Sequence, residues 1–204
     1  MPDLLYRTLV WLDYRLAVVF ALGLPFVLLV WAVARREGAL VRLLSIYWRV
    51  ASLLGISVLL LIDARPLGYV LALVAELLVV VAVWFWVDLN EELDDLPPWR
   101  PLPLTVRAWR WALTVYGVTA AMLSVTALTC LVGGVNRPVC QVWLEAPRQL
   151  HAVAVRVFGF VFGGQLTPGL TAFFGYLALA FYAVGMLQWL LVRLPRFGRV
   201  AGGF

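Results

Sequence analysis

Two charged residues, Arg49 and Glu76, stand inside otherwise apolar runs of this chain. A charge in hydrocarbon is expensive, so it turns toward protein, finds a partner and often marks an ion path or a ligand site. Arg49 lies six residues from one end of its run and Glu76 eleven from the matching end of the next, roughly 9 and 16 Å deep. Only Asp63-Ala64-Arg65-Pro66 separates the two runs, so they form a hairpin and an Arg49–Glu76 ion pair is within reach. Three readings stay open. The pair fixes helix register; or it serves a proton or ion relay or an anionic ligand; or Arg49 snorkels to the interface and leaves Glu76 uncharged.

A second constellation is acidic. Asp88, Glu91, Glu92 and Asp95 share one face of a helical stretch, and Leu89, Leu93 and Leu96 share another. Clustered carboxylates can hold a hard cation such as Mg²⁺ or Ca²⁺. The plainer reading is a solvated acidic face that docks on arginines, with Arg107, Arg110 and the basic C-terminal tail as candidates. Cys130 and Cys140 enclose Gly133, Gly134 and Pro138, a tight turning segment that suits a disulfide; two cysteines supply only half a zinc site. His151 is the only histidine, which excludes bis-histidine haem within one chain. No metal site, nucleophile elbow, phosphate-cradling loop or zincin signature is present, so no catalytic residues are assigned.

The elements that carry these residues are apolar and long. Leu16–Val33, Leu43–Ile62, Leu67–Val87, Trp111–Val132 and Pro168–Val192 each approach or exceed the ~20 residues that cross a bilayer. Lipid offers the backbone no partners, so each run must be a helix. The fold class is therefore all-α, one integral membrane bundle of five transmembrane helices over residues 1–204. Gly23-Leu24-Pro25 predicts a kink in the first helix. Asp88 to Leu96 is expected to continue the third helix until Pro97-Pro98, with Pro101 and Pro103 stiffening an extended link. Val153–Phe162, apolar apart from Arg156 but too short to cross, predicts a short interfacial or re-entrant segment; a sixth crossing is the alternative. Asp3 and Asp13 and the lack of a small-residue cleavage pattern predict a retained first helix, with Asp13 in the headgroup layer.

Composition agrees. The chain has 204 residues, 64% of them hydrophobic, against about 45–50% in soluble domains. All sixteen basic residues are Arg, mostly in short loops, which fits membrane orientation rather than a nucleic-acid footprint. Call the side of the N-terminus A and the opposite side B. Five crossings place nine loop arginines on side B against six on side A, which predicts side B, and the C-terminus, in the cytoplasm. Both cysteines then lie on side A, outside or in a lumen, where disulfides persist.

Several strings carry a resemblance over nearly the whole chain: Asp13-Tyr-Arg-Leu, Ile46-Tyr-Trp-Arg-Val-Ala-Ser-Leu-Leu-Gly-Ile, Trp84-Phe-Trp-Val-Asp-Leu-Asn-Glu-Glu92, Trp109-Arg-Trp-Ala-Leu-Thr-Val-Tyr, Cys140-Gln-Val-Trp-Leu-Glu-Ala-Pro and Thr167-Pro-Gly. Together they resemble a family of cyanobacterial multi-pass membrane proteins of unknown function. The resemblance implies a plasma or thylakoid membrane and proximity to photosynthetic or bioenergetic complexes, and it lends no catalytic residues. The expected function is a non-enzymatic accessory, assembly or structural subunit of a membrane complex, with lipids and other membrane proteins as partners. The alternative is a small-solute or ion transporter or channel component built on Arg49 and Glu76.

Overall fold

The computed structural model describes residues 2–97 and 99–201, and Pro98 lies outside them. The described residues are helical throughout their ordered elements. The helices are α1 (Pro2–Leu16), α2 (Leu24–Arg35), α3 (Gly38–Ile62), α4 (Leu67–Trp84), α5 (Val87–Asp95), α6 (Pro101–Ala127), α7 (Thr129–Gly133), α8 (Pro138–Phe162), α9 (Pro168–Gln188) and α10 (Leu194–Phe197). Five continuous stretches are long and apolar enough to cross a membrane: Leu4–Arg35, Gly38–Ile62, Leu67–Trp84, Pro101–Val132 and Pro168–Arg196. Helix α3 is the centre of the bundle, with α2, α4, α8 and α9 packed on it, and α6 closes against α4.

The expected kink takes a specific form. A π-helical turn, Ala17–Gly23, joins α1 to α2 just before Pro25. Proline has no N–H, so carbonyls one turn earlier lose their helical partner. Two side chains from other helices replace it: Trp109 Nε1 donates to Phe20 O and the Tyr47 hydroxyl to Ala21 O, both at 2.8 Å. The two rings themselves meet edge to face at 5.0 Å. A second π-helical turn, Trp189–Arg193, likewise precedes a proline, Pro195.

Three expectations need correction, two at side B and one at side A. The third span does not run on into the acidic stretch: α4 stops at Trp84, Trp86 is extended, and α5 starts afresh at Val87. No Gly or Pro signals this break. It is held by side-chain donors that satisfy the orphan carbonyls of the helix end: the distant Arg110 on Val83 O and Arg199 on Phe85 O, and the local Asn90 on Trp84 O. Pro101 and Pro103 do not form an extended link; they fill the first turn of α6, where a missing N–H costs nothing. The segment after the fourth span is not a short piece over Val153–Phe162 but a 25-residue helix, α8, with Pro147 inside it. It is not among the five spanning stretches. Arg148, His151 and Arg156 on one helix explain why, and its apolar and charged faces suit a membrane surface.

Candidate functional site

The polar interior lies toward side A and is built by α1, α4 and α6. Glu76 on α4 is 4% exposed. Its Oε1 accepts from Ser124 Oγ of α6 at 3.0 Å, and its Oε2, also buried, has no hydrogen-bond partner. Asp13 on α1 is 8% exposed, with Tyr116 of α6 in hydrogen-bonding reach of its carboxyl. Tyr116 and Ser124 stand two turns apart on α6, about 12 Å. The two carboxyls therefore occupy successive levels of one seam lined by hydroxyls. Among the described residues the ion pairs lie toward the bundle ends and include neither acid. Gly117 makes the seam narrow: a Cβ there would sit 2.5 Å from Val80 Cγ2 and 3.4 Å from Glu76 O.

Helix α8 roofs the seam. Cys140, Trp143, Leu144 and Pro147 form its buried face. Cys140 is bonded to Cys130 of α7 with the Cα atoms 5.8 Å apart, the pairing that the sequence suggested. Tyr14 donates to Trp143 O at 2.8 Å and Tyr69 to Cys140 O at 3.2 Å. Glu145 accepts from Arg7 Nε at 2.9 Å and Trp11 Nε1 at 2.8 Å. Partial burial opposes the charge of Glu145, but the donors Trp11 and Arg7 outweigh it and hold the carboxyl below its usual range. A depressed folded-state value stabilises above the ordinary carboxylate range and is lost as pH falls through the lowered value. Acid should thus loosen α8 from α1. Hydrogen exchange over residues 138–150, corrected for intrinsic rates, should rise as pH falls below that range, and Glu145→Gln should flatten the dependence. A pH-independent wild type would refute the clasp.

The Arg49–Glu76 pair is not formed. Helices α3 and α4 do pack as a hairpin, but the two side chains leave it on different faces. Arg49 is exposed and lines a cleft toward α9, whereas Glu76 points at α6. Two carboxylates of the acidic face at side B are docked, one on Arg42, which the sequence reading did not name, and one on backbone of the C-terminal tail, which it did. Glu92 pairs with Arg42 at 2.6 Å, and Asp88 accepts the Ala201 N–H at 2.9 Å with both oxygens. Glu91 and Asp95 are exposed. Arg107 holds backbone carbonyls of Leu93, Asp94 and Leu96 rather than carboxylates. Among the described residues no three Asp, Glu, His or Cys side chains converge as a metal site would require.

Two residues take places in the bundle interior that the sequence reading did not give them. Asp13, expected in the headgroup layer, lies in the helical stretch Leu4–Arg35 and is turned into the bundle toward Tyr116 of α6. The apolar stretch Leu9-Val10-Trp11-Leu12 ahead of it was the available signal. Arg110 is likewise internal to α6, one residue before the run drawn from Trp111.

A protein-family model described as "Protein of unknown function (DUF3177)" matches residues 7–202. No curated protein and no solved structure matches the chain.

Proposed function

The chain belongs to that family of unknown function, and we propose that it is a non-enzymatic accessory subunit of a larger membrane complex which contributes a buried acid site, Asp13 and Glu76, for taking up and releasing a proton. One observation carries this reading: the carboxyl of Glu76 is sealed in the bundle with one oxygen unpartnered, a second acid, Asp13, is buried in the same bundle, and among the described residues neither acid has an ion-pair partner. Two bare carboxylates in a dry interior are far too costly to stand unpaired. A proton supplies the missing charge and gives an O–H that can donate within the seam. The roof of α8 shields the acids on side A, and Tyr14, Tyr116 and Ser124 supply hydroxyls along which a proton can pass.

The setting we propose is the plasma or thylakoid membrane of a cyanobacterium, next to a photosynthetic or bioenergetic complex. Side B faces the cytoplasm, in keeping with the arginine bias, and the disulfide faces the oxidising side. A transporter or channel component is the second reading, and it now rests on Asp13 and Glu76 in place of an Arg49–Glu76 pair.

Two measurements test this. A tagged copy purified from its native membrane in mild detergent should bring down a stoichiometric membrane complex. Infrared difference spectra between acid and alkaline buffer should show a buried-carboxyl C=O band, absent in Glu76→Gln and shifted in Asp13→Asn. A partnerless protein with no such band would overturn the proposal. Proton flux into liposomes should stay at leak level for the isolated subunit; flux that Glu76→Gln abolishes would favour the transporter reading.

A further inference from the structure

Helix α9 approaches α3 closely at one level. A Cβ on Gly175 would sit 2.9 Å from Leu60 Cδ2 and 3.2 Å from Leu59 Cβ, and Thr171 and Ala172 are buried beside it. Farther toward side B a Cβ on Gly185 would meet nothing within 4 Å. There a cleft of about 460 Å³ opens between α3, α4 and α9, a size within the roughly 300–1,000 Å³ of small-molecule sites. Apolar side chains such as Leu78, Val81, Phe181 and Met186 make most of its wall. Two polar groups share the lining. One is Arg49, and the other is Tyr182, whose hydroxyl is buried and has no hydrogen-bond partner. Trp86 and Trp189 also line the cleft and meet edge to face at 5.9 Å.

We propose that this cleft binds an anionic diacyl lipid, with an acyl chain lying between α9 and the α3–α4 hairpin, the head against Arg49 and an ester carbonyl accepting from Tyr182. Each part of the lipid answers one feature. The walls match a hydrocarbon chain. A buried hydroxyl with no partner is costly and calls for an acceptor. Arg49 is the one ionisable cation among the lining residues, and a guanidinium bonds an anionic head more strongly than a zwitterionic one. Tryptophan belongs at the level where chain meets headgroup. The cleft shares neither acid with the Asp13–Glu76 seam, so the two proposals stand independently.

The test uses purified full-length protein, delipidated and mixed with phosphatidylglycerol or phosphatidylcholine, and native mass spectrometry of the retained lipid. Wild type should retain phosphatidylglycerol about fivefold better, the effect of one arginine near a membrane surface. Arg49→Gln should erase that preference, Tyr182→Phe should weaken retention of both lipids, and Arg156→Gln on α8 should behave as wild type. Equal retention of the two lipids by wild type, or an undiminished preference in Arg49→Gln, would overturn the site. If Arg49→Gln does not fold, chain-brominated lipids in vesicles decide. The fluorescence lost in Trp189→Phe should be the part quenched more by brominated phosphatidylglycerol than by brominated phosphatidylcholine, and equal quenching would refute the proposal.

Discussion

Arg110→Met should cost about 3 kcal/mol, the scale of removing a buried charged donor and stranding its acceptors. Arg110 is 4% exposed. Its Nη2 donates to Val83 O at 2.7 Å and to Asn90 Oδ1, and its guanidinium lies 4.0 Å over the Trp84 ring. The same Trp84 is pinned from its other edge by Nε1 donating to Thr114 at 2.8 Å. Methionine fills similar space but leaves the end of α4 and the start of α5 without the link between them. Lysine should not rescue, because a point charge cannot reach both acceptors while stacking on an indole. Resistance to a denaturing detergent should fall, with amide exchange rising first over residues 83–90. An unchanged denaturation midpoint in Arg110→Met would dismiss this account.

The second large effect should come from Gly117→Val. Even the first carbon added at Gly117 would overlap Val80 Cγ2, which is stiff at χ1 and cannot swing aside cheaply. Backbone of α4 lies just behind, at Glu76 O. The helices must therefore part, at about 1–3 kcal/mol as for other overpacked cores. Gly117→Ala should show a smaller loss of the same kind. Because the displaced segment carries Glu76, the infrared band assigned to that carboxyl should shift in both variants. A Gly117→Val protein as stable as wild type, with an unmoved band, would show that α4 and α6 do not meet here.

Apolar run length made the five spans legible, because hydrocarbon permits the backbone few alternatives. The disulfide was legible from a turning segment between two cysteines. What composition could not show was where a span begins when polar residues lie inside it. Asp13 lies three residues before one apolar run and Arg110 one residue before another, and apolar run length alone does not show that both side chains turn into the bundle. The break at Trp86 was invisible for another reason. Two of the three donors that meet its carbonyls, Arg110 and Arg199, come from distant parts of the chain, and only Asn90 is local. The Arg49–Glu76 pairing failed on rotation: hairpin neighbours share an interface, but depth alone does not say which face of each helix a side chain leaves from. Glu76 is buried, as its place in an apolar run suggested, but the side chain that bonds it is a serine, not an arginine.

The seam also sets a schedule for biogenesis. Asp13 leaves the ribosome in the first span, whereas Tyr116, which reaches its carboxyl, follows 103 residues later (116 − 13) in the fourth. At ribosomal speeds of about 5–20 residues per second, that interval is roughly 5–20 s. Through it the first helix must sit in the insertion machinery with an acid that lipid disfavours by about 3 kcal/mol. Its release into the bilayer is therefore coupled to the arrival of α6, and the roof can close only after Glu145 has emerged to meet Arg7 and Trp11. Nascent chains truncated before Tyr116 should remain crosslinkable to the insertion machinery through α1, and longer ones should let go.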